Sequence, residues 1–374
     1  MLHQTIAAAD PRAWLAANRP ALPVLFFAPG LLAARLEEFH AGFPGLVTFA
    51  VKANPSPRVL AQMIAGGIHG FDVASPEEMR LIRGLSAEVA LHYNNPVRSP
   101  DEIAESIRHG VTSWSVDDAG ELAKLVAAPL PPGSEVAVRL RLPVAGAAYD
   151  FGSKFGATPA EAVALLRQVA AAGLTPAMTF HVGTQCTDPA AWGEYVAACA
   201  AIAGEAGVTL ARLNVGGGFP SARGGAARPL APYFAAVTAA MAAFDTPPAL
   251  VCEPGRALVA DAYAYAVRVK SLRPGRVYLE DGIYGGLSEY PSMGVPPVAT
   301  VAPDGSTRPG APEARVVFGP TCDSLDRLPG DIPLPADLAE GDHLLFPGTG
   351  AYLNGVSTRF NGYGDWQEVT VARL

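Results

Sequence analysis

Lysine is the scarcest charged residue in this 374-residue chain, with four copies at positions 52, 124, 154 and 270 against 23 arginines. Basic residues are scattered and the formal net charge is -8. Nucleic-acid binding needs a concentrated basic surface, so that class is set aside. Cysteine is sparse too: Cys186, Cys199, Cys252 and Cys322 lie far apart with no CxxC pair. Such spacing builds neither a metal site nor a disulfide framework, and it fits a reducing, cytoplasmic setting. No apolar run reaches the ~18 residues of a membrane span. The N-terminal stretch MLHQTIAAADPRAWLAANRP lacks a basic segment followed by an apolar core, so neither secretion nor membrane insertion is expected.

What is there reads as a large globular protein. Half the residues are hydrophobic, 17% are charged, and 39 glycines and 35 prolines imply many turns. The length predicts two domains, or one large barrel with an addition. Four segments open alike: SPRVLAQM from Ser56, SPEEMRLI from Ser75, SPDEIAES from Ser99 and TPAEAVALL from Thr158. Each offers a hydroxyl N-cap followed by proline at the first helical position. In the last three a glutamate three residues on, Glu78, Glu102 or Glu161, predicts a capping box.

Between these starts lie eight β-rich runs: LVTFAVK (46–52), HGFDVAS (69–75), VALHY (89–93), TSWSVD (112–117), EVAVRLRL (135–142), AMTFHVG (177–183), RLNVGGG (212–218) and ALVCEPGR (249–256). Most alternate with amphipathic helical segments, as βα units do. Eight units over roughly 230 residues predict a closed (β/α)8 barrel, with chemistry at the C-terminal ends of its strands. After residue 257 the texture changes to strands and turns, as in YAYAVRVKSL and WQEVTVARL. A second, mostly antiparallel β domain is expected there, of β-barrel or Greek-key type. The predicted division is a barrel over 25–256 and a β domain from 1–24 with 257–374. The loop PDGSTRPGAPE (303–313) is expected to be exposed and mobile.

The scarcity of lysine draws attention to Lys52, which ends an apolar run just before a Pro-rich turn. Arginine serves wherever fixed positive charge suffices, whereas lysine can lose its proton and attack a carbonyl. A strand-end lysine reaching solvent is the plain alternative. NVGGGFP offers backbone N–H groups unobstructed by Cβ atoms, a phosphate cradle or simply a tight turn. CEPGR ends the next strand with Glu253 and Arg256, a functional pair or an internal ion pair. His181 ends another strand, as a catalytic or a structural histidine. Taken as a set, an amine, a glycine cradle, a carboxylate, an arginine and an aromatic plate meet the needs of an aldehyde cofactor that carries a phosphate and a pyridine nitrogen. That cofactor is pyridoxal 5'-phosphate.

The motifs FAVKAN, GFDVAS, SKFGA, FHVGTQCTDP, VGGGFP, EPGR, GPTCDSLD and GAYLNGVSTRFNG, in this order, span nearly the whole chain. The chain resembles the fold-type III pyridoxal-phosphate decarboxylases, nearest to the ornithine decarboxylase branch. The resemblance implies an alanine-racemase-like barrel with a C-terminal β domain, working as a head-to-tail homodimer on a small amino-acid substrate. It implies that Lys52 joins the cofactor aldehyde, that His181 stacks on the pyridine face and that Glu253 keeps the ring nitrogen protonated. Gly217, Gly218, Gly255, Arg256 and Tyr352 would hold the cofactor's phosphate end, with Thr184 in the place of the usual serine. Asp72, Glu78 and Arg139 match the charged residues around lysine and cofactor, and for Glu78 the capping-box role competes.

In TCDSLD, Cys322 resembles the acid that reprotonates the substrate carbon and Asp323 the carboxylate that binds its distal ammonium, both reaching the site from a partner subunit. The diaminopimelate branch carries a cysteine–glutamate pair there, so aspartate favours a basic side chain. Tyr284 and Tyr352 are further substrate-side candidates. Two departures bear on the substrate. No aspartate follows the strand in EDGIYGGLSEYPSMGVPPV, where Glu289 is the nearest carboxylate, as a replacement or as a solvent-facing loop residue. Asn214 stands where the branch commonly has aspartate. The expected activity is decarboxylation of L-ornithine to putrescine, as in polyamine biosynthesis. Lysine or another diamino acid is the alternative, and a racemase or a non-catalytic relative of the fold is a more distant one.

Overall fold

A computed structural model describes residues 6–143, 152–226 and 228–374; the first five residues of the expected N-terminal segment lie outside that range. Strand β1 (Val24–Phe27) precedes eight strands: β2 (Leu46–Ala50), β3 (Gly70–Val73), β4 (Ala90–Tyr93), β5 (Ser113–Val116), β6 (Glu135–Leu140), β7 (Thr175–Phe180), β8 (Arg212–Asn214) and β9 (Ala249–Cys252). Each coincides with one of the eight runs. They pair in parallel in chain order, and β2 closes on β9 through Leu46↔Val251 and Val47↔Cys252. Parallel strands covered on both faces read as continuous apolar runs, which is why these strands are legible in the sequence.

The helices between them start where the hydroxyl–proline signals stand: Pro57–Ala65, Pro76–Leu85, Pro100–Arg108 and Pro159–Ala171. Ser99 with Glu102 and Thr158 with Glu161 form complete capping boxes. Two expectations need correction. Ser56 makes no side-chain cap, and its own N–H donates to Asn54 Oδ1 at 3.1 Å instead. Ser75 accepts from the Glu78 N–H, but Glu78 Oε2 reaches past the cap to the Ala74 N–H at 2.6 Å. The box around Glu78 is therefore open, and its carboxylate sits one residue closer to the end of β3.

The second sheet contains β10 (Tyr263–Arg273), β11 (Arg276–Leu279), β12 (Ala299–Val301), β13 (Pro312–Phe318), β14 (Ile332–Pro335), β15 (His343–Pro347) and β16 (Gln367–Thr370). Its order is β12-β15-β10-β11-β13-β14, mostly antiparallel, and β1 lies between β10 and β16. The described strands form one branched, mostly antiparallel sheet, the second β domain expected after residue 257. Of the described residues, those within 36–220 and 229–257 form one compact unit and those within 1–35, 221–228 and 258–374 another. The boundary expected at residue 25 would put β1 with the barrel. Its four residues are buried, and their hydrogen bonds go to β10 and β16. In the core of this unit Trp14, Val24 and Phe26 pack with Ala266, Val369 and Val371.

Loop 303–313 is largely exposed, but it is anchored. Arg308 makes a bidentate pair with Asp342 at 2.8 and 2.7 Å, and the Gly310 N–H donates to Asp337 at 2.9 Å. Such a fork holds a loop far better than composition suggests.

Candidate active site

At the C-terminal end of β2 the chain turns through a short 3-10 segment, Val51–Ala53, whose flanking residues are buried while the Lys52 side chain is 49% exposed. Its Nζ lies 3.9 Å from Asp72 Oδ2 on the adjacent β3. Asp72 is almost fully buried, and its Oδ1 has no hydrogen-bond partner among the described residues. Burial, then the nearby Glu253 carboxylate, push the Asp72 pKa well above the usual range, with Lys52 opposing them. Glu78 is also raised by burial, and Lys52 acts on it in the opposite direction. Lys52 thus acts on two neighbouring carboxyl groups, Asp72 and Glu78.

Glu253, just past β9, is buried. Its Oε2 accepts from Asn94 Nδ2 at 2.7 Å and from Asn214 Nδ2 at 2.8 Å. Gly216, Gly217 and Gly218 lie after β8 between this loop and the one after β7. A Cβ on Gly216 would come within 2.2 Å of the Phe180 carbonyl oxygen, and one on Gly218 within 2.3 Å of the Gly183 carbonyl oxygen; both glycines also have positive φ. A Cβ on Gly217 would meet the Glu253 carbonyl oxygen at 2.9 Å and His181 Nε2 at 3.3 Å. Only glycine fits where three backbones converge. The next residue, Phe219, is buried and stacks on Trp192 with ring centroids 4.9 Å apart, which pins the flexible run at one end.

His181 Nδ1 accepts from the Gly183 N–H at 3.0 Å, which places its proton on Nε2. Burial, followed by the Lys52 and Arg139 charges, depresses its pKa well below the ordinary value, so the ring is neutral at pH 7. Arg139 lies on β6 with its guanidinium 5.2 Å from the Phe155 ring centroid, and Lys154 Nζ is 4.9 Å from the same ring. Arg256 is buried at the start of the short helix Arg256–Val259, and a Cβ on Gly255 would sit 2.8 Å from Ala53 Cβ. Thr184 is half-buried in the loop that follows His181.

The remaining candidates belong to the second unit. Tyr284 donates its hydroxyl to Asp323 Oδ2 at 2.5 Å, and the Leu325 N–H donates to Asp323 Oδ1 at 2.9 Å. These bonds hold the Asp323 pKa below the usual carboxylate value and raise that of Tyr284. Cys322, the exposed member of four unbridged cysteines, directs both its N–H and its Sγ to Asn361 Oδ1, at 3.2 and 3.3 Å. Tyr352 has a left-handed backbone with φ 65°, sparsely populated for a tyrosine. Glu289 precedes the helix Tyr290–Met293, where its carbonyl accepts from the Ser292 and Met293 N–H groups.

Residues 30–260 match the family model for the pyridoxal-dependent decarboxylases, pyridoxal binding domain. The chain is 31% identical over 328 residues to a lysine/ornithine decarboxylase of Selenomonas ruminantium, covering 85% of this chain and 81% of that protein. It is 30% identical over 366 residues to the chloroplastic ornithine decarboxylase of Nicotiana glauca, covering 91% and 82%. This chain belongs to the pyridoxal-dependent decarboxylases. A solved lysine/ornithine decarboxylase of Vibrio vulnificus complexed with putrescine superposes with a TM-score of 0.83 at 26% identity, covering 97% of this chain and 99% of that one. The protein is a pyridoxal-phosphate-dependent amino-acid decarboxylase.

The barrel rim of this decarboxylase fits that cofactor on its own evidence. It has a glycine cradle that any Cβ would fill, a buried carboxylate oxygen on Asp72 without a partner, and an amine beside it. Three residues of the decarboxylase escaped sequence reasoning. Asn94 and Asn361 read as turn residues in HYNNP and RFNG, with no local sign of the side chains they serve. Asp326 is buried and accepts from the Ile283 N–H at 3.0 Å, the Thr321 N–H at 3.1 Å and the Thr321 hydroxyl at 2.8 Å, clamping the TCDSLD loop to the DGIYGG loop. Its place at the end of TCDSLD was the available signal.

Proposed function

We propose that this decarboxylase acts on a basic L-amino acid, L-ornithine before L-lysine, releasing carbon dioxide and the corresponding diamine. The observation that carries the reading is Asp323, an ionised carboxylate braced by two hydrogen bonds directly beside the exposed Cys322 thiol. A carboxylate in that state suits a ligand ammonium. Relatives named for ornithine and lysine, and a putrescine complex among similar structures, support the same substrate class.

Pyridoxal phosphate, when bound, supplies an aldehyde for an amine and a protonated ring that draws off electrons as the bond to the carboxylate breaks. Lys52 Nζ would be the amine that holds the cofactor's aldehyde. Glu253 keeps the proton on the ring nitrogen, and the neutral His181 ring offers a flat face for stacking. The glycine N–H groups, Gly255, Arg256, Thr184 and Tyr352 bind the phosphate end. Asp72, Glu78 and Arg139 set the charge around Lys52. Cys322 Sγ gives a proton to the carbon that lost the carboxylate. Asp323 and Tyr284 orient the distal ammonium, and Glu289 stands in for the aspartate missing after the DGIYGG segment.

The working unit in this reading is a cytoplasmic homodimer in which one subunit's Cys322 and Asp323 serve its partner's barrel. The exposed apolar side chains of Leu325, Val356 and Phe360, all on the segments that carry or touch Cys322 and Tyr284, support a covered surface there. Among the described residues no helix is long and apolar enough to cross a membrane.

The test is incubation of the holoenzyme with L-ornithine, L-lysine, L-arginine and diaminopimelate, with the amines identified. Ornithine is expected to react fastest. An inert ornithine beside a reactive diaminopimelate overturns the substrate class, and the dimer reading fails if mixing inactive Lys52→Ala and Cys322→Ala chains restores no activity.

A further inference from the structure

The loop network around Glu253 points to a task for two asparagines that none of the motifs assigns. Both Asn94 and Asn214 are buried, and both donate to the same oxygen, Oε2 of Glu253. The orientation of Asn214 is set by a second bond, because its Oδ1 accepts from the Gly216 N–H at 2.9 Å. Gly216 in turn accepts from the Glu253 N–H at 3.0 Å. These bonds close a ring from Asn214 to Glu253 to Gly216 and back. Flipping the amide would break two of them at once, so its NH2 group must face the carboxylate. Asn94 is steadied through its backbone carbonyl, which accepts from the Ser115 hydroxyl at 2.8 Å.

An amide N–H can only donate, so two of them on one oxygen favour the charged carboxylate over the neutral acid. Both bonds fall on Oε2, so Oε1 is left to accept from another group. We propose that Asn94 and Asn214 are positioning residues that keep Glu253 ionised and present its Oε1 to the ring nitrogen of the cofactor. This rests on the reading that Glu253 meets that nitrogen. Asp72, the neighbouring buried carboxyl group, has no such donors: its Oδ1 lacks a hydrogen-bond partner among the described residues.

Asn214→Asp is the discriminating variant. It keeps the acceptor for the Gly216 N–H, so a purely structural role predicts no change. Electrostatically it places a carboxylate oxygen where a donor stood, 2.8 Å from Glu253 Oε2, and two such groups share a proton. The measurements are the absorption spectrum of the holoenzyme between pH 6 and 9 and the dissociation constant of the cofactor. Asn214→Asp is expected to add a one-proton spectral transition that the unaltered holoenzyme lacks. Asn94→Ala is expected to weaken cofactor binding about tenfold, the equivalent of about 1.4 kcal/mol and of one charge-assisted hydrogen bond. Unaltered spectra and affinity in both variants would overturn the proposal, provided Glu253→Gln disturbs them. If Glu253→Gln leaves them unaltered as well, the placement of Glu253 against the ring fails, and this inference falls with it.

Discussion

Glu253 and Asp323 are both carboxylates that accept two hydrogen bonds. Glu253 is buried and receives both from side-chain amides on barrel strand ends, whereas Asp323 is half-buried and receives them from a phenol and a backbone N–H on a loop. Inside a protein the effective dielectric is low, so fixed dipoles around Glu253 act strongly and need nothing further to be effective. At Asp323 water screens the charge, and its attraction for an ammonium grows only when ligand and neighbouring surface exclude that water. The contrast teaches a division of labour. In the proposed function the barrel rim, organised before anything binds, would govern the cofactor, while the loop cluster would be completed on binding and govern the choice of side chain.

Three experiments can break or sharpen this contrast. Lys52→Ala should have the largest effect, abolishing the visible absorption of the bound cofactor and lowering turnover by about 10³-fold or more. Substantial turnover in that variant would remove the rim from the chemistry. Next in size is acid sensitivity of the barrel. His92 Nε2 lies 3.3 Å from Arg212, whose Nε lies 3.2 Å from Glu135, in a network linking β4, β8 and β6. Burial, and then the Arg212 charge, lower the His92 pKa to about 4. The folded value lies below the unfolded one of about 6.5, so the native state binds fewer protons. The contribution is present in full above pH ~6.5 and disappears as pH falls toward 4, about 3 kcal/mol in all. Urea unfolding of the His92→Gln variant should show a weaker dependence on pH across that window. The smallest effect is expected on the exposed side. Asp323→Asn should lower kcat/KM for ornithine roughly 10- to 100-fold through loss of a charge-assisted contact of about 1.5–3 kcal/mol, leaving cofactor affinity unchanged. A change in cofactor affinity there would erase the division.

Much of this could be read from the chain because the barrel advertises itself. Its strands are local apolar runs, its helices begin with hydroxyl–proline pairs, and Lys52, the glycine triplet and Glu253 stand at strand ends where chemistry belongs in such a barrel. What was not legible depends on distant partners. Asn94 becomes meaningful only when β4 and β9 both deliver residues to one rim. Asn361 reaches Cys322 from 39 positions away. The capping role of Glu78 failed by one residue because burial beside Lys52 competes with helix-start geometry. Strand β1 was absent from the predicted runs, because its partners β10 and β16 lie far along the chain.

That strand has a consequence for how the chain is made. β1 lies beside β16, so the first and the last of the described strands are neighbours. All eight barrel strands have emerged by residue 252, and that unit can mature while synthesis continues. The other sheet must wait, with its opening strand held in reserve, until β16 has been synthesised.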